Sequence, residues 1–385
     1  MSSEIAEVLA AIESLRSRGE KMALATVVAV KGSTYRRPGA RALVPENGDL
    51  VGNISGGCLE GDVLQIAKDV MGEGEARLVN FDLTADDEAV WGWGLGCNGA
   101  VEVFVEPVEE AGEVAEPLRR ALEEDRSIVV VTVLESDLPG VERGSRVLVH
   151  PDGSREKSLG DPRADDLAAE AALAALEKSH SVKQDLQVGE ASITAFIEVL
   201  EPPPRLLICG AGHDAIPVVK HAATLGWRPI VIDEREKFLN RDRFPEAHQF
   251  VVVANPAEAA AAVGVDSRTS VIVMSHNYLR DRDYVRSFLG TDVSYIGTLG
   301  PRVRLENLLD DLAKEGVHAS EADLAKMHGP AGIDIGAEGP DEIAWAILAE
   351  ALAVLRGRKA AFLRERKGPI HPRRDRESST AMGAA

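Results

Sequence analysis

Two cysteines in the first hundred residues lie in glycine-rich segments whose chemistry could serve a ligand. Cys58 lies within Ser55–Asp62, and Cys97 lies within Gly94–Gly99. Small neighbours leave a thiol uncovered and let a ligand approach the backbone closely, which favours a reactive thiol or a ligand for a soft metal. The alternative is that each cysteine is a small residue buried in a tight turn. The separation between them is too long for a C-x-x-C redox pair and does not match zinc-finger spacing.

A cluster of cations precedes the first of these cysteines. Lys31, Arg36, Arg37 and Arg41 fall within eleven residues of a chain whose formal net charge is -20. Because arginine pairs bidentately with phosphate oxygens, this local reversal of charge favours an anion site, with a solvated loop as the alternative.

Two tryptophans lie shortly before the second cysteine. Trp91 and Trp93 alternate with glycines in the segment that leads to Cys97. Their flat faces could stack on a heterocycle, or they could fill the core of the domain.

A dinucleotide-type fingerprint lies further along the chain. The apolar run Arg205–Cys209 leads into Gly210-Ala211-Gly212-His213-Asp214-Ala215, and Asp233 ends the next apolar run. In a strand–loop–helix unit, such glycines admit a diphosphate at the helix N-terminus. Asp233 would then accept a hydrogen bond from a ribose and disfavour a 2′-phosphate. The alternative is a doubly wound domain whose loop binds nothing tightly.

Three histidines follow predicted strands or stand in loops of the same region. His213, His276 and His328 could converge in the fold without being close in sequence, and the alternative for each one is a hydrogen-bonded structural histidine. The segment Gly297–Gly300 lies between a predicted strand and a helix, and it is a possible second anion cradle.

The composition excludes several classes of function. The net charge of -20 argues against binding to nucleic acid or an anionic membrane, because both need a basic surface. No apolar stretch is long enough to span a bilayer, and Glu4, Glu7 and Glu13 interrupt any signal-peptide core. Three cysteines fit a reducing compartment, so we expect a soluble, cytoplasmic protein.

The chain is long enough for two domains, and the pattern of its elements changes at a proline run. We predict an α/β protein with a mixed α/β domain over residues 1–200. A Rossmann-like, doubly wound parallel-sheet domain follows over residues 201–357, and a disordered tail covers 358–385. The run Glu201–Pro204 marks the boundary because it cannot continue a helix or a strand. No internal repeat is evident in the sequence.

Together these motifs resemble the XdhC/CoxI family, the accessory factors of molybdenum hydroxylases such as xanthine dehydrogenase. The resemblance runs from Ala23 to Arg356. It rests on the segments Val27–Gly39, Ser55–Cys58, Gly94–Gly99, Gly210–His213, Ser275–His276, Tyr295–Gly297 and His328–Gly336. It implies a protein that binds molybdenum cofactor (molybdopterin bearing Mo) and supports its sulfuration by a cysteine desulfurase. That protein would then deliver the cofactor to a hydroxylase partner.

On this basis we expect one set of residues to bind cofactor, with Cys58 and Cys97 as possible contacts to Mo. The set is Cys58, Cys97, Gly56, Gly57, Gly96, Arg36, Arg37, Gly210, Gly212, His213, Asp233, His276, Gly297 and His328. A homodimer is the commonest assembly and is expected here.

Two other functions compete with the cofactor chaperone. One is an NAD-dependent oxidoreductase that uses the Gly210 loop, and the other is an N-terminal domain that serves only for docking. We do not expect the chain to be a xanthine dehydrogenase itself, because three cysteines cannot ligate the two Fe–S clusters that such enzymes hold.

Overall fold

The computed structural model of the chain describes residues 2–57, 59–82 and 98–367. It divides into two compact units between Pro202 and Pro203, inside the proline run. Each unit has its own hydrophobic core and is described by itself.

The N-terminal unit contains the same series of elements twice. The first series is α1 (Ser2–Ser17), β1 (Met22–Ser33), β2 (Arg41–Pro45), β3 (Val51–Gly52), α2 (Glu60–Glu73), β4 (Arg77–Asp82) and β5 (Asn98–Pro107). The second is α3 (Val108–Glu123), β6 (Ile128–Ser136), β7 (Arg146–Val149), β8 (Arg155–Glu156), α4 (Pro162–Glu177), β9 (Val182–Val188) and β10 (Ala191–Leu200).

These two series form equivalent antiparallel sheets, with strand orders β3-β2-β1-β5-β4 and β8-β7-β6-β10-β9. Even the irregular hydrogen bonds recur. Val27 exchanges backbone hydrogen bonds with Gly39 and Ala40, as Val133 does with Gly144 and Ser145. The expectation of no internal repeat is therefore wrong. The repeat lies in topology and register, which two halves with different residues can share.

Successive side chains along each strand point to opposite faces of the sheet, and both faces of these sheets are apolar. On β1, Ala23, Ala25 and Val27 pack under α2, whereas Leu24 and Val28 point into cores shared with the second repeat. On β6, Val129, Val131 and Val133 pack under α4 in the same way. The two repeats thus bury their inner faces together, with α1 and α3 completing one of the shared cores.

Two ion pairs cross between the repeats inside this unit. Arg41 of β2 pairs with Glu198 of β10, and Arg146 of β7 pairs with Glu106 of β5. Arg41 and Arg146 occupy equivalent positions, because they are the register partners of Thr26 and Thr132. Each repeat therefore supplies the arginine for the other repeat's buried glutamate.

The C-terminal unit is built on a parallel sheet of order β13-β12-β11-β14-β15-β16. Its strands are β11 (Arg205–Cys209), β12 (Arg228–Asp233), β13 (Gln249–Val252), β14 (Thr269–Val273), β15 (Tyr295–Thr298) and β16 (Met327–His328). Its helices are α5 (Ala215–Thr224), α6 (Ala259–Val263), α7 (Tyr278–Phe288), α8 (Arg302–Lys314), α9 (Glu321–Lys326) and α10 (Pro340–Leu355).

Helices cover both faces of this sheet. Helices α5 and α10 pack on one face, and α7 and α8 pack on the other. The predicted fold class, a mixed α/β N-terminal domain followed by a Rossmann-like parallel sheet, is confirmed. Among the residues placed by the structure, no helix combines the length and apolarity needed to cross a membrane.

Candidate functional site

The strand order of the C-terminal sheet reverses between β11 and β14, and the loops that follow these two strands meet there. In open α/β sheets, ligands bind at the carboxyl ends of the strands at such a switch point. The loops are Gly210–Asp214 and Ser275–Asn277, which we call the switch-point site. A Cβ atom built on Gly212 would lie 3.7 Å from Nε2 of His276, so the two loops face each other directly.

The backbone conformation and the close packing at position 210 require glycine. Its φ is +122°, and a Cβ atom there would lie 2.7 Å from the carbonyl oxygen of Met274 and from the Cα of Ser275. Its N–H donates to the carbonyl of Ile232 at 2.8 Å. The first glycine of the fingerprint therefore lets the chain after β11 approach the chain after β14 closely. Its N–H is already hydrogen-bonded and is not free for a ligand.

The next part of the loop is open to an anion. Within the described chain, the backbone N–H groups of Gly212 and His213 donate to no acceptor. Helix α5 has no side-chain cap and no acidic residue in its first turn. Asp214 instead faces His276, with 3.2 Å between Oδ2 and Nε2. Free N–H groups at a helix N-terminus are the usual donors to phosphate oxygens.

Asp233 lies at the end of β12 as predicted, but its carboxylate is engaged by the protein. The residue is only 3% exposed. Oδ2 accepts from the N–H of Ala211 at 2.7 Å and from Nη2 of Arg235 at 2.8 Å, while Oδ1 accepts from the N–H and Nε of Arg235. Burial alone would raise the pKa of Asp233, but the hydrogen bonds from Arg235 and Ala211 outweigh it and hold that pKa below its ordinary value.

Two arginines and a phenylalanine border the loop next to Asp233. The guanidinium groups of Arg235 and Arg243 lie 4.2 and 4.6 Å from the ring centroid of Phe238. Nη2 of Arg243 donates to the carbonyls of Ala211 and Gly212, at 2.9 and 3.4 Å, and these hydrogen bonds stabilise the loop. These contacts make the side of the site next to β12 cationic.

The loop after β14 is fixed by a buried carboxylate. Asp281 is 4% exposed and accepts from the N–H and hydroxyl of Ser275, at 3.1 and 2.5 Å, and from Nη2 of Arg304 at 2.7 Å. His276 then adopts a positive φ of +57° with its ring more than half exposed. This network presents the His276 ring to the Gly212 loop.

His328 belongs to a different cluster, two strands from β14 across the sheet. Its ring stacks on Tyr295 at 4.6 Å, and its Nδ1 lies 3.1 Å from Oε1 of Glu350. Oε2 of Glu350 accepts from the hydroxyl of Tyr295 and the N–H of Gly332. Burial, reinforced by Glu350, raises the pKa of Tyr295 well above its usual value.

Gly297 is explained by the packing of this cluster. A Cβ atom there would lie 2.7 Å from the Tyr295 ring and 2.9 Å from Cβ of Ala331. The structure therefore brings His276 to the fingerprint loop, together with His213 on that loop, but places His328 and Gly297 elsewhere.

In the N-terminal unit, the glycine-rich segment before α2 is organised by Glu60. Its carboxylate accepts from the N–H groups of Ser55, Gly57 and Leu59 at 2.9–3.1 Å, and from the Ser55 hydroxyl. Burial alone would raise the pKa of Glu60, but these hydrogen bonds lower it overall. The N–H groups of this loop are thus already occupied by an anion of the protein. A Cβ atom on Gly57 would meet nothing within 4 Å, so its outer side is open.

The cationic segment lies beside that loop but is only partly free. The ring of Tyr35, 73% exposed, covers Gly56, whose Cβ position lies 3.0 Å from it. Arg36 is paired with Glu4 of α1 at 2.6 Å, whereas Arg37 is exposed. Of the two predicted arginines, Arg37 is the one whose side chain faces solvent.

The predicted residues Cys58, Cys97 and Gly96 lie outside the described residues, as do Trp91 and Trp93. Their chain neighbours are placed. Gly57 and Leu59 flank Cys58, and Asn98, which follows Cys97, pairs with Ser33 at the end of β1. Within 2–57, 59–82 and 98–367, no group of three or more His, Cys, Asp or Glu residues is arranged to hold a metal ion.

Sequence reasoning missed the residues that shape both loops. Glu60 was visible as an acid at the first turn of a helix after a glycine-rich loop, a position where carboxylates accept backbone N–H groups. Arg235 stands two residues after Asp233, a spacing short enough for the two side chains to pair. Arg243 and Glu350 gave no comparable signal, because they reach their partners only through the fold.

Comparisons with known proteins cover almost the whole chain. The XdhC and CoxI family matches residues 15–82, and the XdhC Rossmann domain matches residues 206–351. A protein of Bacillus subtilis (strain 168) named as a probable xanthine dehydrogenase subunit is 30% identical over 340 residues, which are 88% of this chain and 94% of that protein. The molybdenum cofactor insertion chaperone PaoD of Escherichia coli (strain K12) is 24% identical over 89% of this chain and 86% of its own length.

A solved structure shows the same architecture. The crystal structure described as a xanthine dehydrogenase from Bacillus halodurans superposes with a TM-score of 0.73 and 26% sequence identity. The match covers 91% of this chain and 96% of that one. With both family segments in order and a relative matched almost end to end, this chain belongs to the XdhC and CoxI family.

Proposed function

We propose that this protein is an accessory factor that binds molybdenum cofactor and delivers it to a molybdenum hydroxylase of the xanthine dehydrogenase type. The observation that carries the proposal is the similarity, over 89% of the chain, to a protein named as a molybdenum cofactor insertion chaperone. The relative whose name places it in a xanthine dehydrogenase supports the same partner class.

The chemistry of the described residues fits molybdopterin as cargo. In the N-terminal unit, its phosphate would suit the exposed guanidinium of Arg37, and its flat pterin would suit an exposed ring such as that of Tyr35. Because Glu60 already occupies the N–H groups of the loop before α2, that loop is better suited to the uncharged or metal-bearing part of the cofactor than to the phosphate.

The two cysteines would serve the soft, dithiolene-bound metal. The segment from Ser33 to Tyr35 contacts sequence neighbours of both cysteines. Ser33 pairs with Asn98, which follows Cys97, and Tyr35 covers Gly56, which lies two residues before Cys58. Support of sulfuration together with a cysteine desulfurase, a homodimeric assembly and a cytoplasmic location belong to the same proposal.

A reconstitution assay tests this function. Protein loaded with molybdenum cofactor is added to an apo-hydroxylase, and urate formation from xanthine and NAD is followed. We expect activity to appear only when both proteins are present. Sustained urate production by this chain alone would contradict the proposal and favour the oxidoreductase that uses the Gly210 loop. No rise in hydroxylase activity would contradict delivery.

A further inference from the structure

The contacts of Asp233 bear on the class of nucleotide that the Gly210 loop would take. In this type of fold, an acidic residue at the end of the second strand accepts a hydrogen bond from the ribose 2′-hydroxyl, whereas a nearby arginine accommodates a 2′-phosphate. Asp233 stands at the acidic position, so the sequence predicts discrimination against a 2′-phosphate. The hydrogen bonds of that carboxylate argue against this discrimination.

Asp233 has no hydrogen-bonding capacity left for a ribose. Its two oxygens accept four donors, of which three belong to Arg235 and one is the N–H of Ala211. A carboxylate offers about four lone-pair sites, so this set is complete. The side chain is also 4% exposed, compared with 44% for Arg235. A ligand that reaches the end of β12 therefore meets the guanidinium before it meets the carboxylate.

Arg235 still has donors to offer. Nε and Nη2 bind Asp233, while Nη1 donates to no group in the part of the chain that the structure places. The guanidinium lies 4.2 Å from the Phe238 ring centroid, with Arg243 at 4.6 Å from the same centroid. Asp233, Arg235 and Arg243 together carry a net charge of +1, and the neighbouring Glu234 is paired with Arg280. The electrostatics at this position therefore favour an anion.

We infer that the switch-point site binds a nucleotide whose ribose carries a 2′-phosphate, the NADP⁺ class, in preference to NAD⁺, and that Arg235 is the ligand of that phosphate. The diphosphate lies against the free N–H groups of Gly212 and His213, and the 2′-phosphate lies against Nη1 of Arg235. The inference goes beyond the proposed delivery of molybdenum cofactor and does not depend on the N-terminal loops.

Titration calorimetry of the full chain with NADP⁺ and NAD⁺ tests the inference, with 2′,5′-ADP and 5′-ADP as minimal probes. We expect NADP⁺ to bind about 10- to 100-fold more tightly than NAD⁺, the effect of a charged hydrogen bond, and 2′,5′-ADP to bind more tightly than 5′-ADP. Equal binding of the two dinucleotides, tighter binding of NAD⁺ or no binding of either would overturn the inference.

Two variants assign the preference to Arg235. Arg235→Ala removes the phosphate ligand and frees Asp233 for a ribose hydroxyl, so NADP⁺ affinity should fall and NAD⁺ affinity should rise. Arg235→Lys keeps the charge without the bidentate contact and should give an intermediate preference, which also serves if the alanine variant folds poorly. Arg126→Ala, a charge-matched change in the N-terminal unit at a side chain 70% exposed, should leave both affinities unchanged.

An unchanged preference in Arg235→Ala would overturn the assignment to this residue. The molybdenum content of the same preparations is measured separately. A loss of nucleotide preference with unchanged molybdenum content distinguishes this inference from the proposed cofactor chaperone.

Discussion

Arg146 of the second repeat pairs with Glu106 of the first, and both side chains are buried, at 7% and 2% exposure. The equivalent pair, Arg41 with Glu198, runs in the opposite direction between the repeats. A cavity of about 40 Å³ lies beside both pairs. Among the described residues of this unit, each of these buried charges is paired with a residue of the other repeat. A repeat that buried its inner sheet face alone would therefore leave an unpaired ion.

Breaking one of these pairs should destabilise the protein strongly. Arg146→Met leaves Glu106 buried without a partner, and we expect a loss of about 3–5 kcal/mol in the free energy of unfolding. Urea unfolding followed by circular dichroism measures the change. Arg77→Met, which breaks an exposed pair with Glu73, is the control and should change stability by no more than about 1 kcal/mol.

The double variant Arg146→Met/Glu106→Leu should recover most of the lost stability, because it removes the unpaired charge as well. A single variant as stable as the wild type would show that the pair does not hold the repeats together.

The two fingerprint glycines should respond differently to the same substitution. Gly210→Ala places a Cβ atom 2.7 Å from the Met274 carbonyl at a φ of +122°, and should reduce stability by at least about 1–3 kcal/mol. Gly212→Ala makes only ordinary contacts of 3.6 Å with His276 and should stay within about 0.5 kcal/mol of the wild type. Thermal unfolding compares them, and equal losses would contradict this assignment.

Gly212→Val then tests the loop as a ligand site in a protein that should still fold. The branched side chain occupies the space in front of the free N–H groups, so affinity for NADP⁺ should fall. Titration calorimetry measures this affinity directly, and unchanged affinity for NADP⁺ would show that the loop is only structural.

The engaged carboxylate of Asp233 should make stability depend on pH. Because its pKa is lower in the folded chain than the ordinary 3.8, the unfolded chain binds more protons in acid. The stabilisation is therefore complete above about pH 5 and is lost as the pH falls through the lowered pKa. Asp233→Asn should lose less stability than the wild type between about pH 5 and pH 2. Urea unfolding at several pH values measures the free energy of unfolding of both proteins. An equal loss in the variant and the wild type would contradict this role of Asp233.

Much of the C-terminal unit could be predicted because its signals are local. The apolar run Arg205–Cys209, the glycines after it and the acid at Asp233 all fall where the structure has β11, its loop and the end of β12. The engagement of Asp233 by Arg235 could not be deduced, since residue spacing does not reveal which of two acceptors, the protein or a ligand, fills a carboxylate.

Non-local pairings account for the rest. Arg36 pairs with Glu4, which lies 32 residues away, so its charge could not be judged from the cation cluster alone. The repeat escaped detection because its equivalences, such as Arg41 with Arg146, lie in strand register rather than in residue identity along the chain. His328 does not converge with His213 and His276 as the sequence allows, because it pairs with Glu350 of α10.

Cys97→Ala and Cys58→Ala should each weaken retention of molybdenum cofactor while leaving the fold intact, if these thiols contact the metal. Cys209→Ala is the matched control. Cys209 is fully buried in β11, and burial, with the charge of Asp281, raises the pKa of its thiol well above the ordinary value, so it should not serve as a thiolate ligand. Molybdenum content after purification measures the effect, and equal retention by all three variants would exclude the cysteines as ligands.

The most direct measurement is the pterin and molybdenum content of the wild-type protein purified from a host that makes the cofactor. The protein is denatured, and the released small molecules are identified by mass spectrometry alongside metal analysis. A cofactor-binding accessory protein should release molybdopterin together with molybdenum, whether or not NADP⁺ is also present. Release of nucleotide alone, with neither pterin nor molybdenum, would contradict the central claim.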